Sequence, residues 1–574
     1  MAFVTFKDKD ITISVEDSVS VMECIRVAGL NIETPCNGKG KCGKCKVIAK
    51  GDLYEKTKEE EKYTTGTFER LACMARVRGD VEIQLIDKKN ELKTVNEGYS
   101  ITVDLNSEVK KVQLPDIKFE SSIAYEKGIP YKINSLEVYK KIALAEKNKK
   151  DKLYGVIFQN YLIDIVKDRD SILGVAIDIG TTGISAYLID LESGNVINKA
   201  SSLNPQTEYG GDVLSRITYC NEVEDGIDVL KKSIREKIDD LIEVLIEDKY
   251  KKEEVYILSI AANTTMMHLF TGVIPNSLSK APYRPIFKDK LLVKASELDI
   301  HINKEGKVLL LPSLSSYVGA DIVAGIIATG FYKKHNPAVF IDIGTNGELA
   351  AIYQWEITAS STAAGPAFEG MNISCGGRAE EGAIDSFSID EDYNIVYSTI
   401  GEVKPKSICG SGLIDIAAAF VQKKIILKSG RFNKELPLEI RDRLRDKKFY
   451  ITDNVYVSQE DIRQIQLAKG AISSGITMIL KELGTTIDKI EEVVVAGSFG
   501  YHLNPESIRT MGIIPKDFNG NITFVGNSSI EGARLSLINK SIIDKMDTIS
   551  DKVRVIELST RDDFQNYFVK ALSF

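Results

Sequence analysis

Four cysteines near the N-terminus have the number and spacing of ligands for an inorganic cluster. Cys36, Cys42 and Cys45 form a C-x5-C-x2-C pattern, and Cys73 follows in the stretch ERLACMARV. Three close thiols and a distant fourth are typical of a [2Fe-2S] site, whose plant-type version has four residues in the first gap. The glycines of the loop allow it to wrap a small cluster and to aim backbone amides at the sulfurs. The spacing therefore predicts a [2Fe-2S] cluster held by these four cysteines.

Two other kinds of site compete for this loop. From Gly38 the letters GKGKCGKC are close to the Walker phosphate-binding pattern, but Cys45 stands where a Ser or Thr hydroxyl binds Mg²⁺. A structural zinc site usually has two tight C-x2-C knuckles, and this loop has one. We therefore favour the cluster over zinc and expect any phosphate site elsewhere in the chain.

The segments around the cysteines predict a small β-grasp domain over residues 1–88. FVTFKDKDITISV alternates like a two-stranded hairpin, VSVMECIRVAGL has helical spacing, and VEIQLI is typical of a strand. This arrangement resembles the ferredoxin domain of the C-x5-C-x2-C type. The resemblance implies a domain that transfers single electrons.

Composition excludes several classes of function. A chain of 574 residues has room for about three domains. The net charge of −8 argues against a nucleic-acid partner, since the basic residues alternate with acids along stretches such as LKKSIREKIDDLIEVLIEDKYKKEE. We see neither a membrane span nor a secretory leader, and eight cysteines then favour metal binding over disulfides. We expect a cytoplasmic protein with no nucleic-acid or membrane partner.

The remaining chain predicts a multidomain protein of α/β and α+β class. A polar stretch after the first domain predicts a linker over 89–113, and apolar residues at three- and four-residue steps predict a small helical middle region over 114–172. From residue 173 onward, GVAIDIGTTG and AVFIDIGTNG are two copies of one pattern. They predict a duplicated α/β domain with halves of about 173–335 and 336–574.

Each DIGT stretch places an Asp at a strand end and turns the following amides inward. Backbone amides bind phosphate oxygens, and a carboxylate at a strand end can hold Mg²⁺ through water. A single copy is explained at least as well by an ordinary hairpin turn, whereas two copies favour a triphosphate site. The predicted site residues are Asp178, Gly180, Thr181, Thr182 and Gly183 in the first copy and Asp342, Gly344, Thr345, Asn346 and Gly347 in the second.

Together with EEVVVAGSFG, these turns resemble the nucleotide site of the acetate kinase, sugar kinase, hsp70 and actin (ASKHA) superfamily. The resemblance covers residue 174 to the C-terminus and implies an actin-like ATPase domain with ATP and Mg²⁺ as ligands. Asp178 and Asp342 match the two phosphate aspartates, which makes them candidate catalytic residues, and Gly497 with Ser498 matches the turn that packs on adenosine.

Other residues are added to this candidate site. Gly410 and Gly412 in SICGSGLID match the start of a connecting helix, where they would permit close packing between the halves. Glu348 is a third candidate catalytic residue, because it and Asp385 are acidic groups able to position water for hydrolysis.

Six further stretches narrow the resemblance: NPQTEYGGDVLSRI, ANTTMMHLFTG, APYRPIF, YVGADIVAGI, GPAFEG and GNSSIEGARL. With the cluster domain they look like the reductive activators of corrinoid proteins, which use ATP to return cobalt from Co(II) to Co(I) in methyltransferase systems. The resemblance spans nearly the whole chain. It implies a corrinoid protein as electron acceptor, an upstream low-potential reductant and a homodimer.

Rival functions remain open at this point. A small-molecule kinase with an appended ferredoxin domain would use the same nucleotide loops. A dehydratase activator would hold a [4Fe-4S] cluster between subunits, for which Cys375 and Cys409 are available, and a nucleotide-gated redox sensor would bind without turnover. His301 follows Asp299 in DIHINKEG, but Lys304 stands where a cobalamin-carrier motif needs Gly. We therefore expect the corrinoid to belong to a partner and His301 to be an exposed loop residue.

Overall fold

The computed structural model describes the chain at residues 2–9, 11–30, 32, 38, 40, 43, 45–85, 98–114, 129–147, 153–497 and 503–574. The chain divides into two compact units. The first contains 1–91, 203–234 and 268–281, and the second contains 92–202, 235–267 and 282–574. Among the described residues, no helix combines the length and the apolar character needed to cross a bilayer.

The N-terminal domain is a mixed sheet with helices. Its elements are β1 (Ala2–Phe6), β2 (Ile11–Val15), α1 (Val21–Val27), β3 (Lys46–Leu53), α2 (Lys58–Tyr63), β4 (Glu69–Leu71) and β5 (Val77–Leu85). The strand order is β2-β1-β5-β3-β4, with β1 and β2 forming the predicted hairpin. Helix α1 begins where the Ser20 hydroxyl accepts a hydrogen bond from the Glu23 amide at 3.2 Å. The small β-grasp domain is thus confirmed.

The prediction that the middle region is helical is wrong for its second part, which forms two strands. The elements here are β6 (Val109–Gln113), α3 (Leu136–Lys147), β7 (Tyr154–Phe158) and β8 (Tyr161–Val166), and the strands pair in the order β6-β7-β8. YGVIFQNYLIDIV is rich in β-branched and aromatic residues, and Gln159 takes a positive φ of 55° in the turn between the strands. β6 also lies inside the predicted linker.

A buried carboxylate joins this small sheet to the following domain. Asp164 of β8 accepts hydrogen bonds from Lys141 at 2.5 Å, from the Tyr256 hydroxyl at 2.9 Å and from the Asn303 side chain at 3.1 Å. These partners come from three separate parts of the second unit. Because a buried charge requires such partners, Asp164 fixes the middle sheet against the domain that follows.

The predicted duplication is visible in two sheets with matching topology. The elements up to residue 334 are β9 (Leu173–Ile179), β10 (Gly183–Asp190), β11 (Val196–Leu203), α4 (Val213–Glu222), α5 (Gly226–Ile246), β12 (Val255–Ala262), α6 (Thr264–Thr271), β13 (Leu291–Lys294), β14 (Lys307–Leu310) and α7 (Ala320–Ala328). The strand order is β11-β10-β9-β12-β14-β13, in which β9 is antiparallel to β10 and parallel to β12.

The second half repeats this arrangement. Its elements are β15 (Ala338–Ile343), β16 (Gly347–Tyr353), β17 (Glu356–Thr362), β18 (Ala383–Ile389), β19 (Ile395–Thr399), β20 (Ser407–Ile408), α8 (Gly410–Gln422), α9 (Leu438–Arg441), β21 (Leu444–Arg445), β22 (Lys448–Tyr450), β23 (Tyr456–Ser458), α10 (Gln459–Glu482), β24 (Glu492–Ala496), α11 (Pro505–Met511), β25 (Asn521–Gly526), α12 (Ser528–Ile538), α13 (Lys540–Lys552), β26 (Arg554–Val555) and α14 (Phe564–Ala571). The order β25-β24-β15-β16-β17 mirrors the first sheet, with β15 antiparallel to β16 and parallel to β24.

Helices α7 and α12 cross at close range. A Cβ atom on Gly532 would lie 2.3 Å from the Ala324 carbonyl oxygen, and one on Gly325 would lie 2.8 Å from the Ser528 hydroxyl. Only glycine permits such an approach, so the two helices are packed backbone to backbone. This crossing joins the first half, which ends with α7, to the second half, which contains α12.

Candidate functional site

Both DIGT turns form at the ends of equivalent strands, β9 and β15. In the first turn, the Gly180 amide donates to the Gly183 carbonyl at 2.9 Å. In the second, the Gly344 amide donates to the Asn346 carbonyl at 3.0 Å. Each bond keeps its turn tight directly after the Asp, although the first closes over three residues and the second over two.

The two turns open into one cleft with a volume of about 550 Å³. The predicted site residues in its wall are Asp178, Gly180, Thr181, Thr182, Gly183, Asp342, Gly344, Thr345, Asn346, Glu348, Gly410 and Gly497, and Asp385 also lines it. Gly347 and Gly412 are not part of the wall, and Ser498 lies outside the described residues. A volume of this size suits a small-molecule or cofactor ligand.

Gly412 permits close packing, but against a different part of the protein from the one predicted. A Cβ atom at this position of α8 would lie 2.1 Å from the Ile384 carbonyl oxygen of β18. Both residues belong to the second half, so this glycine permits close packing within that half and not between the halves.

Asp178 is held by two side chains at the start of α12. The Asn527 side-chain amide donates to one carboxylate oxygen at 2.8 Å, and the Ser529 hydroxyl donates to the other at 2.9 Å. Burial raises the pKa of Asp178, while these two hydrogen bonds act in the opposite direction. Residues some 350 positions apart in sequence thus fix the orientation of the aspartate in the first turn.

Glu369 connects the two turns. One of its carboxylate oxygens accepts hydrogen bonds from the Thr182 hydroxyl at 3.1 Å and from the Thr345 hydroxyl at 3.0 Å. Thr182 belongs to the first turn and Thr345 to the second, and their hydroxyl oxygens are 3.4 Å apart. Burial raises the pKa of Glu369, opposed by these hydroxyl donors. The carboxylate therefore links the two turns across the cleft.

Further carboxyl groups make the floor of the cleft strongly acidic. Burial and the charges of Asp321, Asp178 and Glu369 raise the pKa of Asp342 to about 8. Burial, with a contribution from Asp178, raises the pKa of Asp321 to about 7. Burial, Asp321 and Asp342 also raise the pKa of Glu348 well above its usual range. These groups disfavour one another's ionised forms, and a cation bound among them would reverse that.

The donor set suits Mg²⁺ bound together with phosphate. Mg²⁺ prefers oxygen ligands and usually keeps several waters, using one or two carboxylates plus substrate phosphates. Among the described residues, no three His, Cys, Asp or Glu side chains converge as a ready-made metal site. The aspartates at the two strand ends therefore fit a cation that arrives with a nucleotide and is held partly through water.

Gly497 brings the backbone after β24 against the second phosphate aspartate. Its φ is 122°, its amide donates to the Gly526 carbonyl at 3.1 Å, and an added Cβ atom would lie 2.6 Å from the Ile343 carbonyl oxygen. Both the conformation and the close approach exclude larger residues. This position closes the cleft on the side predicted for adenosine.

In the N-terminal domain, the two described cysteine ligands converge. The sulfurs of Cys45 and Cys73 are 3.3 Å apart, and both side chains are buried. Cys36 and Cys42 lie outside the described residues. Gly40 and Gly43 of the same loop have positive φ values of 66°. Two buried thiols aimed at one point fit the ligands of a common cluster.

Several cleft residues escaped the site prediction although they lie in stretches that carried the family resemblance. They are Asn263 in ANTT, Asp321 in YVGAD, Glu369 in GPAFEG, and Asn527 and Ser529 in GNSS, with Arg378 as a further wall residue. Asn263 donates to the Thr181 hydroxyl at 3.1 Å. The available signal was a polar residue following an apolar run, which is too common to single out a site.

The residues weighed for rival functions lie apart or have other contacts. His301 is exposed, as expected, and its Nδ1 lies 2.5 Å from an Asp239 carboxylate oxygen. Cys409 precedes α8 in the cleft wall and contacts the Ile384 carbonyl oxygen at 3.2 Å, while Cys375 is half-buried. Each of these cysteines thus sits within the packed second half.

Three protein-family models match parts of the chain. Residues 4–78 match the model of the 2Fe-2S iron-sulfur cluster binding domain, residues 173–334 match the RACo middle region, and residues 336–574 match the C-terminal domain of RACo, the ASKHA domain. The region that this family calls the middle is therefore the first half of the duplicated domain. The cofactors are accordingly a [2Fe-2S] cluster and ATP with Mg²⁺.

Relatives and a solved structure agree with these matches. The corrinoid activation enzyme RamQ of Eubacterium limosum is 29% identical over 99% of this chain and 98% of the relative. A [Co(II) methylated amine-specific corrinoid protein] reductase of Methanosarcina barkeri is 25% identical over 70% of this chain and 77% of the relative. A solved structure of a reductive activator for a corrinoid, iron-sulfur protein is 30% identical, covers 100% of this chain and 98% of its own, and superposes with a TM-score of 0.74.

With its cluster-binding domain, its two-turn nucleotide cleft and a match along the full chain, this protein belongs to the family of reductive activators of corrinoid proteins.

Proposed function

We propose that this protein uses ATP to transfer one electron from its [2Fe-2S] cluster to the Co(II) centre of a corrinoid protein, giving Co(I) in a methyltransferase system. The observation that carries the proposal is the joining, in one chain, of converging buried thiols and a cleft built from two matching phosphate turns. The relatives named for corrinoid activation and corrinoid reduction support the choice of acceptor.

The energetics explain why an electron carrier needs a nucleotide site. Plant-type [2Fe-2S] clusters lie near about −400 mV, and low-valent cobalt requires a lower potential. Transfer to an acceptor about 180 mV more negative is disfavoured about a thousandfold, or by about 4 kcal/mol. ATP offsets this difference if it binds one state of the complex more tightly than the other.

The roles of the cleft residues follow from their positions. Asp178 and Asp342 hold Mg²⁺ through water, and the amides of the turns that follow them bind phosphate oxygens. Gly497 and Ser498 pack on adenosine. Gly410 lets the amides at the start of α8 approach a phosphate group, as helix N-termini commonly do. Glu348, an acidic group in the cleft wall, positions water for hydrolysis.

The cluster is held by Cys36, Cys42, Cys45 and Cys73, and it supplies a one-electron carrier when bound. We further propose a homodimer in the cytoplasm, where thiols stay reduced, and an upstream low-potential reductant that loads the cluster. The domain boundaries that accompany this proposal are 1–88, 89–113, 114–172 and 173–574, except that β6 (Val109–Gln113) belongs to the middle sheet.

An anaerobic reduction assay tests the proposal. The reduced protein is mixed with a Co(II) corrinoid protein, and the Co(II) and Co(I) absorption bands are followed with and without Mg²⁺ and ATP. We expect reduction only with nucleotide, and its loss in Cys45→Ser and in Asp342→Asn. Cys24→Ala is the matched control for the first variant, since Cys24 is a core residue of the same domain whose pKa burial raises to about 11.

Two results would contradict the proposal. Reduction of cobalt at the same rate without nucleotide would remove the role given to the cleft. ATP consumption without reduction of the cobalt in any corrinoid partner would favour a small-molecule kinase or a dehydratase activator.

A further inference from the structure

The segment that enters the second unit from the cluster domain is bound directly behind the nucleotide cleft. Residues 98–106, here called the strap, follow the cluster domain in sequence. The strap begins at Gly98, which forms a bridge with Gly526, and an added Cβ atom on Gly98 would lie 2.3 Å from the Asn527 carbonyl oxygen. Asn527 is the residue whose side chain holds Asp178. One residue thus contacts the strap with its backbone and the phosphate aspartate with its side chain.

The strap is also bonded to both helices of the crossing that joins the two halves. The Ile101 amide donates to the Ala328 carbonyl, the last residue of α7, at 2.8 Å. The Ser100 hydroxyl accepts from the Arg534 guanidinium of α12 at 2.8 Å. The starts of the same two helices line the cleft through Asp321 and Ser529. A change in the angle between α7 and α12 therefore must move the strap, the cleft wall or both.

The rest of the strap is fixed to the end of α12 and to α13. The Asn106 amide donates to the Ile538 carbonyl at 2.7 Å, and its carbonyl accepts from the Lys540 amide at 3.0 Å. The Asn539 side chain donates to the Asp104 carbonyl at 2.8 Å. Because its backbone is bonded at successive points, the strap responds as one body and not as a loose linker.

We propose that the strap is a positioning segment for electron transfer, which passes the nucleotide state of the cleft to the chain that leads to the cluster domain. Mg²⁺ and ATP would bind at Asp178 and shift Asn527 and Ser529, which are bonded to it. This shift would move α12 against α7, and the strap would follow through Gly98, Ser100 and Ile101. Closure of two packed halves around a ligand is a common form of such coupling. The inference rests on the proposed function, because it requires a nucleotide in the cleft.

Hydrogen exchange of the full-length, cluster-loaded protein tests this with Mg²⁺ and ATP as the probe. The amides of Tyr99, Ile101 and Asn106 donate to carbonyls of β25, α7 and α12, so their exchange reports strap closure. We expect nucleotide to slow their exchange by about fivefold or more, the lower end of common coupling factors. Gly98→Ala and Ser100→Ala should reduce this effect.

Thr102→Ala is the matched control, because it removes an exposed hydroxyl two residues from Ser100. If ATP binding stabilises the strap, the strap must stabilise ATP binding to the same extent. Ser100→Ala should therefore weaken ATP binding by the same factor by which it reduces the protection of the strap amides. A residue with only a structural role would not change the ATP affinity in this way.

Each outcome decides one claim. The inference is supported if nucleotide protects both the cleft amides and the strap amides in the wild-type protein. In addition, Ser100→Ala should lose the protection of the strap, and Thr102→Ala should keep it. Protection of cleft amides such as Gly180 and Gly344 without any change in the strap overturns the inference alone. No protection of the cleft overturns the nucleotide site itself, and with it both proposals.

Discussion

Replacing Asp342 by Asn should stabilise the nucleotide-free protein by an amount that grows with pH. Burial and neighbouring carboxylates raise the pKa of Asp342 from its ordinary value of 3.8 to about 8 in the folded protein. Between these values, the folded protein keeps a proton that the unfolded chain releases. The stability associated with this group is therefore fully present below about pH 4 and is lost as the pH rises toward 8.

The size of the effect follows from the pH range between the pKa of Asp342 in the unfolded chain and its pKa in the folded protein. One extra bound proton lowers the free energy of unfolding by about 1.4 kcal/mol per pH unit. At pH 7 the window covers 7 − 3.8 = 3.2 pH units, which corresponds to about 4 kcal/mol. Asn has the same shape and does not titrate. Between pH 6 and pH 7.5, the stability of Asp342→Asn relative to wild type should therefore increase by about 2 kcal/mol.

Urea denaturation of both proteins at several pH values, without nucleotide or added Mg²⁺, measures this difference. Asp289→Asn is the control, since Asp289 is exposed in a loop and should show no pH-dependent difference. With Mg²⁺ and ATP present, the wild-type dependence should flatten, because a bound cation favours the ionised carboxylate. Parallel stability curves for Asp342→Asn and wild type would refute the reasoning, since they would show that Asp342 is ionised in the folded, empty cleft.

Two further substitutions test contacts away from this carboxylate. Gly497→Ala should weaken ATP binding about tenfold or more, because the new Cβ atom would lie 2.6 Å from a backbone carbonyl oxygen. Calorimetric titration measures this, and Gly484→Ala, at φ +68° with nothing within 4 Å, isolates the cost of a positive φ alone. Asp164→Ala should lower the free energy of unfolding by about 2–4 kcal/mol, because it leaves buried donors without their acceptor. In the same urea assay, the exposed Asp168→Ala should change stability by less than about 0.5 kcal/mol, and equal losses for both variants would contradict the role of Asp164.

The nucleotide turns are predictable from sequence because each is a contiguous stretch with its own pattern. An apolar strand followed by Asp, an apolar residue, Gly and Thr occurs twice, and the repetition favours a phosphate site over an ordinary turn. The other side of the cleft has no such signal. Asp321, Glu369 and Asn527 each come from a different element, and only the fold brings them to the same place. Their relation is three-dimensional, so no window of sequence contains it.

The middle region shows a second limit of prediction from sequence, which concerns secondary structure. Apolar residues at three- and four-residue steps fit the helix at Leu136–Lys147, but the same count applied to YGVIFQNYLIDIV gave a wrong interpretation. There the apolar residues are nearly continuous, and continuous runs do not distinguish a buried strand from a buried helix. The content of β-branched and aromatic residues was the better guide, together with the two polar residues at the turn.

The two halves of the duplicated fold place their aspartates in different surroundings. This difference affects how the cleft binds a cation. Asp178 receives hydrogen bonds from Asn527 and Ser529, which favour its ionised form. Asp342, at the matching strand end, instead faces the charges of Asp321, Asp178 and Glu369. Burial raises the pKa of both aspartates, but only the first has side-chain hydrogen bonds that oppose the rise. Because a bound cation favours the ionised carboxylate, binding of Mg²⁺ with ATP near neutral pH should release a proton from the second aspartate.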